Sequence, residues 1–133
     1  MGIFNNMFGA KSDKEVKPEK KSYLNWLPLT SLAQLDTIKE ESNTTAVLIF
    51  KHSTRCGISK MVIKQFEKLF TAENKHLKVY YLDLLNHRDI SAEIGQTFQV
   101  VHQSPQLIVI RNGNSVHQAS HNDITEVNLS RFI

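Results

Sequence analysis

The sequence has one cysteine, three prolines and no long apolar run in 133 residues. A lone cysteine cannot close an intrachain disulfide, which excludes the stapled scaffolds of small secreted proteins. No stretch approaches the ~18–20 consecutive apolar residues of a membrane span, so none is expected. The opening residues, Met1 to Gly9, lack both a basic start and a continuous apolar segment, so a secretory signal is not expected and a cytoplasmic location is. His76, His87 and His117 are scattered without metal-ligand spacing. No metal and no tightly bound cofactor are therefore expected. The formal charge is +3, but five lysines between Lys11 and Lys21, set against Asp13, Glu15 and Glu19, hold much of the excess. A basic patch interleaved with aromatics is missing elsewhere, so nucleic acid is not an expected partner.

What is present suffices for one small domain, since 41% of the residues are hydrophobic. Residues 1–22 read as a flexible tail: polar and lysine-rich, broken by Pro18, with a short apolar patch of Ile3, Phe4, Met7 and Phe8 ahead of it. The domain is expected over residues 23–133. Residues 23–29 have strand character, closed by Pro28. Ser31 and Gln34 have capping-box spacing, followed by a helical stripe of Leu32, Leu35 and Ile38. Residues 46–50, Ala-Val-Leu-Ile-Phe, are uninterrupted and apolar, as in a parallel strand covered on both faces. From Ile58, apolar residues at Met61, Val62, Phe66, Leu69 and Phe70 keep a helical period.

Residues 77–84 form another apolar strand, and Ile90, Ile94 and Phe98 another helix. Residues 106–111 and 114–120 flank Asn112-Gly113, the favoured dipeptide of a two-residue type I′ hairpin. Asp123 and Glu126 predict a capped last helix with Ile124, Val127 and Phe132 inward. The order βα, βαβ, α, ββ, α predicts an α/β fold: a central mixed sheet with helices on both faces and a right-handed crossover between strands two and three. Chemistry in such a sheet gathers at the carboxyl end of the central strand.

Cys56 falls at that end, in Cys56-Gly57-Ile58-Ser59-Lys60. A strand, a polar turn and a helix place its sulfur at a helix N-terminus, where free N–H groups and the helix dipole favour a thiolate. The cysteine follows a polar turn rather than sitting in an apolar stripe, which separates it from an inert core thiol. Arg55 and Lys51 are candidates to hold the thiolate or the carboxylates of a small-thiol adduct; an exposed surface charge is the alternative reading, stronger for Lys51 than for Arg55. His52 either assists the cysteine or points away. Ser59, three residues on, is placed to donate a hydrogen bond to sulfur. Thr54 either contacts an adduct or caps the helix.

The stretch from Phe50 to Met61, above all His52-Ser53-Thr54-Arg55-Cys56, resembles the YtxJ-type monothiol bacilliredoxins of the thioredoxin-like superfamily. Trp26-Leu27-Pro28-Leu29 and Val101-His102-Gln103-Ser104-Pro105-Gln106 do so too. The resemblance covers the predicted domain and implies a thioredoxin-like fold. It implies monothiol thiol–disulfide exchange with bacillithiol as co-substrate and bacillithiolated proteins as clients. It further implies a cis bond before Pro105, so that Gln103, Ser104 and Pro105 face the cysteine and Ser104 pairs with an extended substrate. The loop before the last helix holds the small thiol's carboxylate in similar folds, which makes Asn122 a candidate contact and leaves Asp123 as the cap. The chain departs from the pattern at Gly57, where proline is typical, and at Ser59, where dithiol relatives have a second cysteine. Phe50 stands where thioredoxins carry a buried aspartate. Cys-Gly-Ile-Ser also resembles the Cys-Gly-Phe-Ser of monothiol glutaredoxins, so an iron–sulfur carrier is one alternative function. A non-enzymatic thioredoxin-like binding module is another.

Overall fold

The structure, a computed structural model, describes residues 23–133. The expected tail over residues 1–22, with its apolar patch, lies outside the described residues. Five strands form one sheet: β1 (Trp26–Pro28), β2 (Val47–His52), β3 (Lys78–Asp83), β4 (Gln106–Arg111) and β5 (Asn114–Ser120). Their spatial order is β1-β3-β2-β4-β5. Strands β1, β3 and β2 are parallel, whereas β4 and β5 run antiparallel to their neighbours. All six residues of β2 are buried, as the apolar run demands of a central strand.

The helices are α1 (Gln34–Glu41), α2 (Gly57–Glu67) and α3 (Arg88–Phe98). Strand alternation sorts the core into two layers. Leu48, Phe50, Val79, Leu107 and Val109 pack on one face with Val62 and Phe66 of α2. Val47, Ile49, Tyr80, Leu82, Ile108 and Ile110 pack on the other with Leu35 and Ile38 of α1 and Ile90, Ile94 and Phe98 of α3. Asn112 and Gly113 both have positive φ, 54° and 78°, which is the type I′ turn the dipeptide predicted. Ser42, at the end of α1, pins that turn: its carbonyl accepts from Asn112 N at 2.8 Å and its Oγ from Gly113 N at 2.8 Å.

Several local expectations are corrected. The first strand is shorter than residues 23–29, because only Trp26 to Pro28 find register partners on β3. The capping box forms by half: Gln34 Oε1 accepts from the Ser31 and Thr30 amides, but α1 has no side-chain N-cap. Leu32 is exposed because it lies ahead of α1, and Met61 because the buried stripe of α2 runs through Ser59, Val62 and Phe66. The last helix is replaced by two 3-10 helices, His121–Glu126 and Leu129–Phe132. Extended backbone at Val127 separates them, and Asp123 lies inside the first rather than capping it.

Candidate functional site

Register brings three loops to one end of the sheet. Lys51 pairs with Gln106 across β2 and β4, so the chain entering Cys56 and the chain leaving Pro105 emerge side by side. His52 pairs with Asp83 of β3, and Leu84 N donates to His52 O at 3.1 Å, which adds the β3–α3 loop. His121 N donates to Pro105 O at 3.0 Å, so Asn122 follows directly on the proline loop. The site is therefore assembled by strand pairing among residues far apart in sequence.

Cys56 is the N-cap residue of α2, with extended backbone and intermediate exposure. The first helical bond runs from Lys60 N to Cys56 O at 3.1 Å, which leaves the Gly57, Ile58 and Ser59 amides before it without intrahelical carbonyl partners. Those amides lie at the positive end of the α2 dipole. Among the described residues no hydrogen bond reaches Cys56 Sγ. The Ser104–Pro105 peptide is cis. The Ser104 hydroxyl is buried without a partner, and no backbone hydrogen bond of Ser104 is made among the described residues. Gln103 donates its amide to Gln106 Oε1 at 3.3 Å.

Ser59 does not serve the sulfur as expected. Its Oγ lies 2.7 Å from His52 Nδ1 and accepts from Ser53 N at 3.2 Å, and the residue is fully buried. One hydroxyl already engaged by an imidazole and an amide has little left for a third group. His52 is thus neither a free surface imidazole nor a direct neighbour of sulfur by hydrogen bond; it locks the first turn of α2 to the end of β2. Burial pushes His52 below the ordinary imidazole range, opposed by the Asp83 carboxylate and reinforced by Lys60. Its ring also packs against Tyr81 at 5.6 Å between centroids.

Lys51 is the largest departure from expectation. It is 0% exposed rather than a surface charge, because alternation points it into the α3 layer while Phe50 and His52 face α2. Its Nζ lies 3.2 Å from His102 Nδ1, and no carboxylate pairs with it among the described residues. Burial holds its pKa down to about 8. His102 is lowered too, by burial and by the Lys51 charge.

Thr54 lies too early to cap α2, which begins at Gly57. With Arg55 it lines a cleft completed by Leu85, Asn86 and Arg88. Gln106, read from sequence only as a strand residue, organises the proline loop. It is 1% exposed, and its Nε2 donates to Val101 O at 3.0 Å and to Gln118 Oε1 at 3.1 Å. The available signal was a polar residue heading the apolar strand Leu107 to Ile110. Among the described residues no cluster of three or more His, Cys, Asp or Glu could hold a metal ion, and no helix is long and apolar enough to cross a membrane.

Comparison with known proteins agrees with this arrangement. The family described as monothiol bacilliredoxin BrxC matches residues 27–129. A solved structure described as a candidate oxidoreductase with a thioredoxin fold is 32% identical, with TM-score 0.68, over 80% of this chain and 91% of that one. The thioredoxin of Schistosoma mansoni is 22% identical with TM-score 0.63, over 85% of this chain and 100% of that one. Thioredoxin Mala s 13 of Malassezia sympodialis is 22% identical with TM-score 0.59, over 74% and 81% respectively. The two thioredoxins speak for the fold alone, which is the thioredoxin fold the sequence pattern suggested.

Proposed function

Because the chain belongs to the monothiol bacilliredoxin family, we propose that it removes bacillithiol from protein mixed disulfides by thiol–disulfide exchange at Cys56. The observation that carries this reading is the setting of the only cysteine: a partly exposed N-cap residue after β2, whose end pairs with the strand that follows cis Pro105, with a serine at the position of a resolving cysteine. In the first step the Cys56 thiolate attacks the bacillithiol sulfur of the mixed disulfide. The S–S bond to the client breaks, the client leaves as a thiolate, and bacillithiol stays on Cys56. In the second step the thiolate of another bacillithiol molecule attacks the adduct, which regenerates the Cys56 thiolate and forms bacillithiol disulfide. Electrons balance at each step, and no metal or nucleotide is needed.

The first-turn amides of α2 stabilise the thiolate as nucleophile and as leaving group. Ser59 cannot attack the adduct, so a second small thiol must resolve it. The unpaired backbone amide and carbonyl of Ser104 are suited to an extended segment of the client, as in strand addition. Exposed Ile58, Met61 and Val101 add apolar contact area. A cytoplasmic setting, where thiols stay reduced, fits a lone reactive cysteine.

The test is to incubate the reduced protein with one client protein carrying either bacillithiol or glutathione and to follow adducts by intact mass. Transfer of bacillithiol onto Cys56 with release of the client thiol is expected. Selective transfer of glutathione would keep the mechanism and replace the co-substrate. Absence of both adducts, with Cys56 still open to alkylation, would overturn the exchange reading.

A further inference from the structure

Resting on that exchange reading, we propose that the cleft between the Cys56 turn and α3 is an acid-binding subsite, in which Arg55 and Arg88 hold carboxylates of the small thiol attached to Cys56. The cleft, about 270 Å³, begins at the residue preceding the cysteine and is lined by Thr54, Arg55, Leu85, Asn86 and Arg88. A second cleft of about 260 Å³ shares Arg88 and continues past Leu84, Ser91, Ala92 and His102. Neither is lined by an acid. Neither arginine forms an ion pair among the described residues, which leaves both planar guanidinium groups free for a carboxylate.

A built feature underlies this surface. His102 and Ser91 form a wall of the second cleft, and behind them lies the Lys51 amine, 3.2 Å from His102 Nδ1. Lys51 is a fully buried cation with no carboxylate partner among the described residues. Burying an unpaired ammonium costs several kcal/mol unless negative charge offsets it. Such a charge in a low-dielectric wall projects positive potential into the adjoining groove. On the flanking elements, Asp83 accepts from Leu85 N at 3.2 Å and Asn86 Nδ2 at 2.8 Å, and Asp89 stands in the first turn of α3. Neither lines the clefts. The groove that starts at Arg55, next to Cys56, is thus lined by positive charge without an acid, and a small thiol bearing carboxylates matches it in charge.

The test uses the full chain and one client protein carrying, in turn, bacillithiol, glutathione or 2-mercaptoethanol as mixed disulfide, with transfer rates read by intact mass. The wild type is expected to take the carboxylate-bearing adducts faster than the uncharged one, by a ratio that falls with added salt. Arg88→Gln is expected to cut that ratio about tenfold, the usual worth of one charge-assisted hydrogen bond. Arg88→Lys should restore part of it. Because the client is constant, acids on the client surface cannot produce the ratio. Equal wild-type rates for all three adducts, or a ratio untouched in Arg88→Gln of normal circular dichroism, would overturn the subsite alone. Failure of the wild type to take any adduct would overturn the exchange reading itself.

Discussion

Lys51 and His52 are neighbours at the end of one strand, yet they meet opposite environments. His52 turns to the α2 layer, where a hydroxyl and two aromatic rings receive it and burial pushes its pKa down. Lys51 turns to the α3 layer, where its amine meets an imidazole and no carboxylate among the described residues. The α2 side is a satisfied network that fixes the cysteine's helix. The α3 side keeps a buried charge that costs stability. The two neighbours therefore differ in whether burial is answered by matching polar partners.

Substitutions sharpen that contrast. Phe50→Ala, one residue earlier on the same strand and on the α2 face with His52, sets the scale for a fully packed side chain: it is expected to cost about 3–5 kcal/mol in denaturant unfolding, because the cavity cannot close in the central strand. Ser59→Ala is expected to cost about 1–3 kcal/mol, since it strips His52 Nδ1 and the Ser53 amide of their buried partner. An unchanged unfolding midpoint would break the account of the α2 side.

Lys51→Met should act in the opposite direction, stabilising the fold at pH 7 by up to about 2 kcal/mol after allowance for solvent screening. The sign follows from the lowered pKa. Between about 8 and the ordinary value of 10.5 the unfolded chain binds more protons at Lys51 than the folded one, so wild-type stability rises with pH across that window. The advantage of Lys51→Met is therefore present below pH 8 and fades towards pH 10.5. Thermal melts of both proteins across the range check it, and a pH-independent difference would contradict it. The smallest effect is expected for Gly57→Pro: position 57 opens α2, a Cβ there meets nothing within 4 Å, and proline suits a first helical position, so a gain of about 0.4–1 kcal/mol is predicted.

Much of this arrangement was legible in the sequence, for identifiable reasons. The apolar run before Cys56 and the Asn112-Gly113 pair carry strong local signals, and the strand and the turn they predict are there, with the strand shifted to Val47–His52. The Cys56 turn, the proline loop and the Asn122 loop do meet at one end of the sheet, because strand pairing forces it. The final helix misled because capping residues and inward apolar spacing are shared by α and 3-10 turns, and the extended backbone at Val127 leaves no local signature. Lys51 misled for a different reason. Its burial depends on which sheet face α3 covers, a tertiary fact that charge and spacing along the chain do not carry. Arg88 was invisible likewise, since it joins the site only through β3 register.

The most direct test of the central claim asks which sulfur Cys56 attacks. A single turnover of reduced protein with a bacillithiolated single-cysteine client, quenched by acid, should leave one bacillithiol mass on Cys56 and the client fully reduced. A disulfide between Cys56 and the client, with free bacillithiol released, would contradict it.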